Sequence, residues 1–172
     1  MPSNQRSNGS IGVDGARGAG DALIDDTNRE LLVELQADAR LSLAELGRRV
    51  GLSSPAVAER LGRLERAGVI RGYHASLDPV ALGYPLTAVI RIRPAPGQLH
   101  KLAAIASDAP EVVECDRITG EDCYLLKAHV RSVGHLEELI DAFTPFGQTT
   151  TSIVQSSPVA SRGISLDPPA KP

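Results

Sequence analysis

Three runs of apolar residues at helical spacing occupy the first half of the chain: Leu31, Leu32 and Leu35; Leu43, Leu46 and Val50; Val57, Leu61 and Leu64. Residues three and four apart share one helix face, so each run predicts a short amphipathic helix with a polar outer side. The punctuation agrees. Asp25 or Asp26 can cap the first helix. Ser42 followed three residues on by Glu45 has the form of a capping box for the second. Gly51 can end that helix in the left-handed conformation, Ser53 can cap the third, and Ser54-Pro55 suits a first turn, where proline removes no needed donor. Gly68 stops the third helix, and Val69-Ile70 turn back toward the core. Ile70 to Leu77 is extended in character, a wing or connecting strand.

The second half changes period. Leu86 to Arg93 alternates and is β-branched, predicting a strand that Pro94-Ala95-Pro96-Gly97 ends. Gln98 to Ser107 is helical. Val112 to Thr119 and Cys123 to Val130 are strands around Gly120-Glu121-Asp122. Ser132 opens a helix over Val133, Leu136, Leu139, Ile140 and Phe143, and Thr149 to Ser156 is a last strand. The order βαββαβ is the ferredoxin-like arrangement, an antiparallel sheet with helices on one face. In CYLLKAHV, Leu125 falls on one face and Tyr124, Leu126, Ala128 and Val130 on the other. With helices on only one side, a second copy of the chain is the simplest cover for the open face.

Cap, stripe, glycine turn, cap, stripe and glycine stop together make a helix-turn-helix, whose second helix enters the DNA major groove. At about 100° per residue, Ala56, Glu59 and Arg63 turn away from the buried stripe, with Arg60 on the flank. Ser53, Ser54 and Ala56 are small enough for close approach to base edges. Arg60 and Arg63 can bind phosphates or guanine, and Glu59 can accept from cytosine or pair with Arg63. An ordinary helical hairpin with a solvated charged face is the plainer reading of any single piece.

Charge distribution sharpens this picture. The chain carries a net −3, yet from Arg40 to Ala75 seven arginines face three glutamates, a local +4, while Leu86 to Pro172 nets −2. A basic module joined to an acidic one fits DNA binding coupled to another role. Aromatic content of 3% without Trp disfavours single-strand binding by base stacking. Cys115 and Cys123 give no CxxC pair, and with four scattered histidines they give no metal signature. No cofactor is expected. No apolar run is long enough for a membrane helix, and no secretory segment is recognisable, so the expected location is the cytoplasm.

The boundaries read as a disordered tail over 1–22, a winged helix-turn-helix over 23–73, a linker over 74–85, a ferredoxin-like domain over 86–158 and a loose tail over 159–172; the fold class is α+β.

Through LIDDTNRELLVELQADARLSLAELGRRVGLSSPAVAERLGRLERAGVIRGYHASLDPVALGY, VVECDRITGEDCYLL and GQTTTSIV, the chain resembles the Lrp/AsnC family of transcription regulators. The resemblance implies dimers through the sheets, assembly into tetramers or octamers, and a small amino acid or related metabolite bound between C-terminal domains of neighbouring dimers. It places the effector loop at Gly120, Glu121, Asp122 and Tyr124, with Cys123 where the family carries aspartate. It adds the hydroxyls of Thr149 and Thr151, which alternate onto one face of the last strand. Their plainer readings are a hairpin glycine and a threonine-rich strand edge.

Two rivals remain. An enzyme is disfavoured, because His74, His100, His129 and His135 share no spacing with a nucleophile. An effector-independent architectural DNA-binding protein keeps the same DNA face and senses nothing.

Overall fold

The computed structural model describes residues 23–166. The expected tail over 1–22 lies outside them, as does 167–172. The described chain forms two compact units: one runs to Ala75 and takes back the chain from Arg162, and the other is Ser76–Ser161.

The first unit holds α1 (Asp26–Ala37), α2 (Leu43–Val50) and α3 (Ser54–Arg66). Leu31, Leu46, Val57 and Leu64 are fully buried at its centre, with Leu32 and Leu61 beside them. Asp25 caps α1 by accepting from the Asn28 N–H at 2.7 Å. Ser42 caps α2 by accepting from Glu45 N–H at 3.1 Å. The reciprocal half of that box is not made, because the Glu45 carboxylate turns to Arg48 and Arg49 instead. Two full charges at i+3 and i+4 outcompete one neutral backbone donor. Gly51 is left-handed at φ 71°, as the end of α2 requires.

The wing expectation is corrected. All four strands among the described residues belong to the second unit, and Ile70–Leu77 pairs with none of them. Half-buried Ile70 packs on the helical core, and the Tyr73 hydroxyl donates to Glu65 at 2.9 Å, so side chains rather than a ladder hold this segment.

The second unit runs β1 (Leu86–Pro94), α4 (Leu99–Asp108), β2 (Val112–Arg117), β3 (Tyr124–Val130), α5 (Val133–Phe143) and, after a 3₁₀ turn, β4 (Gly147–Ile153). The strands lie in the order β2-β3-β1-β4, and every neighbouring pair is antiparallel. Ala88, Ile90 and Ile92 from β1 and Leu126, Ala128 and Val130 from β3 are buried against Leu102, Ala106, Leu136, Leu139 and Phe143 of the two helices. The opposite face carries Val89, Arg91, Leu125, Lys127 and His129, all half-buried or exposed.

The last strand begins two residues earlier than its threonines suggest. Gly147 passes so close to β1 that a Cβ would overlap the Arg93 carbonyl oxygen. Lacking a side chain, it lets pairing start at Pro94↔Gly147. The expected linker also has structure. Turns at Pro79–Tyr84 close on the Pro79 carbonyl, and Leu77, Pro79, Leu82 and Tyr84 face Pro110, Glu111, Val113 and His129 across a groove of about 320 Å³.

Candidate DNA interface and effector site

The residues singled out on α3 separate into free and committed groups. Ser53 sits at the N-cap, but its hydroxyl makes no capping bond, so an exposed donor and acceptor stands at the head of the helix. Ser54 and Ala56 are half-buried beside it. Glu59 and Arg63 are exposed, and neither forms an ion pair among the described residues.

Arg60 is placed differently. Its Nη1 donates to Asp25 at 2.7 Å and to Asn28 at 3.0 Å, and its side chain keeps 24% exposure. The Asp25 carboxyl is held below its ordinary range by the hydrogen bond from Arg60 and then by the Asn28 N–H. Asn28, 2% exposed, also donates its amide to the Leu23 carbonyl at 2.7 Å. Arg60 therefore braces α3 against the start of α1.

Arg48 and Arg49 are likewise committed. Both pair with Glu45, and Arg49 also reaches Glu34 at 2.5 Å. The two guanidiniums hold the Glu45 carboxyl at about 2. Of the seven arginines from Arg40 to Arg71, those left without an ion pair among the described residues are Arg40, Arg63, Arg66 and Arg71. Charge counting cannot make that division. Arginine reach and acid placement decide it.

Gly47 matters in a way its sequence position does not signal. It is buried in α2, and a Cβ there would overlap the Leu52 carbonyl oxygen. The turn that delivers α3 returns over this glycine, with the Leu52 N–H bonded to the Gly47 carbonyl at 2.8 Å. No helix period signals it, because the demand comes from the turn packing above.

In the second unit, Gly120 takes φ 115° at the β2–β3 turn, a conformation that favours glycine, and open space surrounds its Cα. Glu121 pairs with Arg93, and Asp122 lies 4.0 Å from Arg91. The Cys123 N–H donates to the Ile92 carbonyl at 2.9 Å, tying the loop to β1. Tyr124 belongs to the core. It is 7% exposed, its hydroxyl donates to the Leu99 carbonyl at 3.0 Å, and burial pushes that hydroxyl's pKa up.

Thr149 and Thr151 are half-buried on β4, opposite Ile92 and Ile90. Directly opposed residues on antiparallel strands share a face. The two threonines thus look to the helix-covered side, while Arg91, opposite Thr150, looks to the open side. One copy brings Glu121 and Asp122 to a pair of arginines and does not bring them to Thr149 and Thr151. Arg91 and Arg93 were not among the expected site residues. Alternation marks them only as outward-facing, and the loop that meets them is distant in sequence.

Comparison with known proteins fits this geometry. Residues 24–65 match the AsnC-type helix-turn-helix domain, and residues 87–164 match the Lrp/AsnC ligand binding domain. The HTH-type transcriptional regulator YezC of Bacillus subtilis is 42% identical over 78% of this chain and 95% of its own length. The leucine-responsive regulatory protein of Salmonella typhimurium is 38% identical over 68% of this chain and 73% of that protein. A transcriptional regulator of Neisseria meningitidis, solved as its L-Met complex, superposes with a TM-score of 0.79 at 31% identity, covering 84% of this chain and 97% of that one. With both domains matched in order and near-full-length relatives at this identity, the chain belongs to the Lrp/AsnC family of DNA-binding transcriptional regulators.

Proposed function

We propose that this chain regulates transcription as a homo-oligomer whose α3 helices read operator DNA, and whose operator affinity or assembly responds to a small amino acid or related metabolite. The observation that carries the reading is the exposed side of α3. A serine hydroxyl without a capping bond stands at the start of the helix, and an exposed glutamate and an arginine, neither ion-paired among the described residues, stand one turn apart on its polar face. Two such helices in a two-fold dimer would meet half-sites about one helical turn apart. Ser53, Ser54, Ala56, Glu59 and Arg63 are the proposed contacts, and Arg60 contributes by holding the helix in place.

The effector is proposed to lie between copies. Gly120, Glu121 and Asp122 of one copy would face Thr149 and Thr151 of another, an arrangement favoured because the two sets look to opposite sides of one sheet. Tyr124 would support the loop from beneath. Relatives named for leucine response or solved with methionine make amino acids the first class to test. Binding there would bias assembly or orientation, with a coupling of about 1–3 kcal/mol between effector and operator. The proposed role is non-catalytic, without cofactor, in the cytoplasm. Among the described residues no three His, Cys, Asp or Glu side chains are grouped to hold a metal, and no helix is long and apolar enough to cross a membrane.

The effector-independent architectural reading draws on one observation. Both loop carboxylates already lie beside arginines of the same copy. Mapping bound genomic fragments, then repeating binding and sizing with each of the amino acids, separates the two. A change in affinity or oligomer size with one of them supports the sensor. No response to any supports the architectural protein. No preference for any fragment over random DNA at moderate salt defeats both.

A further inference from the structure

The segment expected as a loose tail makes specific contacts. From Arg162 to Leu166 the chain belongs to the helical unit. Arg29 on α1 donates through Nη1 to the Leu166 carbonyl at 2.5 Å, across 137 positions of sequence. The Leu166 side chain is half-buried and joins the apolar shell around the helix-turn-helix core, whereas Ile164, two residues earlier, is 79% exposed. Gly163 runs against Gln36, where a Cβ would overlap the amide oxygen unless Gln36 swung away.

These contacts define one direction of travel. From Gln36 back to Arg29 is seven residues of helix, about 10 Å at 1.5 Å per residue. From Gly163 to Leu166 is three residues of extended chain, also about 10 Å. The segment therefore lies antiparallel along α1, ending at the first turn of that helix. Arg29 is adjacent to Asn28, the buried side chain that accepts from Arg60 of α3.

We propose that Arg162–Leu166 is a strap belonging to the DNA-binding module, which docks on α1 and fixes the helix start that braces α3. Its occupant is this chain's own C-terminal segment. Eight residues separate the end of β4 at Ile153 from the start of the strap. The second unit is thus joined to the DNA-binding module at both of its ends, through Ala75-Ser76 and through Ser161-Arg162. If the effector reading holds, β4 has a direct covalent route to α1. The strap itself stands without that reading.

Hydrogen exchange on the purified full chain tests it, with no effector needed. Amides of α1 from Arg29 to Gln36 should exchange about tenfold faster in Leu166→Ala and in a chain ending at Ser161, because an anchoring leucine leaves a packed shell. Amides of β1 and β3 should be unchanged, and Ile164→Ala should match the parent chain. If the shortened chain does not fold, Leu166→Ala and Arg29→Gln still decide the matter. Unchanged α1 exchange in the two point variants overturns the proposal. So does α1 protection that vanishes on dilution, since the segment would then be supplied by a second copy.

Discussion

Among individual residues, arginine partnership sets the division of labour. Arg63→Ala should weaken operator binding by about 1–3 kcal/mol if it reads a base, and uniformly across sequences with a shallower salt dependence if it meets a phosphate. Its melting temperature and assembly should stay at parent values. Arg60→Ala should behave oppositely. It strands the buried side-chain amide oxygen of Asn28, a cost of about 1–3 kcal/mol in stability, so thermal unfolding should move first and DNA affinity follow. Both measurements on both variants tell contact from brace.

Glu45 offers a pH prediction. Its folded pKa of about 2 lies below the ordinary 4.5, so its pairing favours the folded state fully above 4.5. That contribution is lost as pH falls from 4.5 toward 2. A carboxyl titration followed by NMR should find the low midpoint in dilute buffer. In high salt it should move back toward 4.5, because the pair is exposed and screened.

Elements are positioned by close approaches that only glycine permits. Gly47→Ala places a methyl against the Leu52 carbonyl, which sits in the turn between α2 and α3. Overpacking of this kind costs about 1–3 kcal/mol. Chemical denaturation should show that loss, and DNA affinity should fall with it because α3 is displaced. The same substitution at half-buried Gly62, where a Cβ would meet only the flexible Arg66 guanidinium, should cost little. The sequence announces element ends well: Asp25, Ser42, Gly51 and Ser132 stand where the helices begin and stop. It announces close packing poorly. Nothing local distinguishes Gly47 from a glycine that could be alanine, and nothing before Gly147 says that β4 starts there rather than at Thr149.

For the whole molecule, the open sheet face is the surface on which assembly is expected to depend. Val89, Leu125 and His129 lie there, half-buried within one copy, with no helix among the described residues packed above them. Leu125→Arg should shift the protein toward monomer in sedimentation or size exclusion at micromolar concentration, without unfolding the ferredoxin-like core, whose buried side chains lie on the other face. Loss of high-affinity operator binding should accompany it, since one recognition helix contacts only half a two-fold site. A Leu125→Arg protein that keeps its parent size would show that copies meet elsewhere.

Period and punctuation alone determined the three helices, the βαββαβ order and the polar face of α3, because helix and strand repeats and their caps are local properties of the chain. The tertiary structure decided which arginines remain free, that Tyr124 is core, that Thr149 and Thr151 face away from Arg91, that no wing forms over Ile70–Leu77, and that Leu166 returns to α1. Each of these depends on which groups distant in sequence come within a few ångströms, and one-dimensional spacing carries no record of that distance.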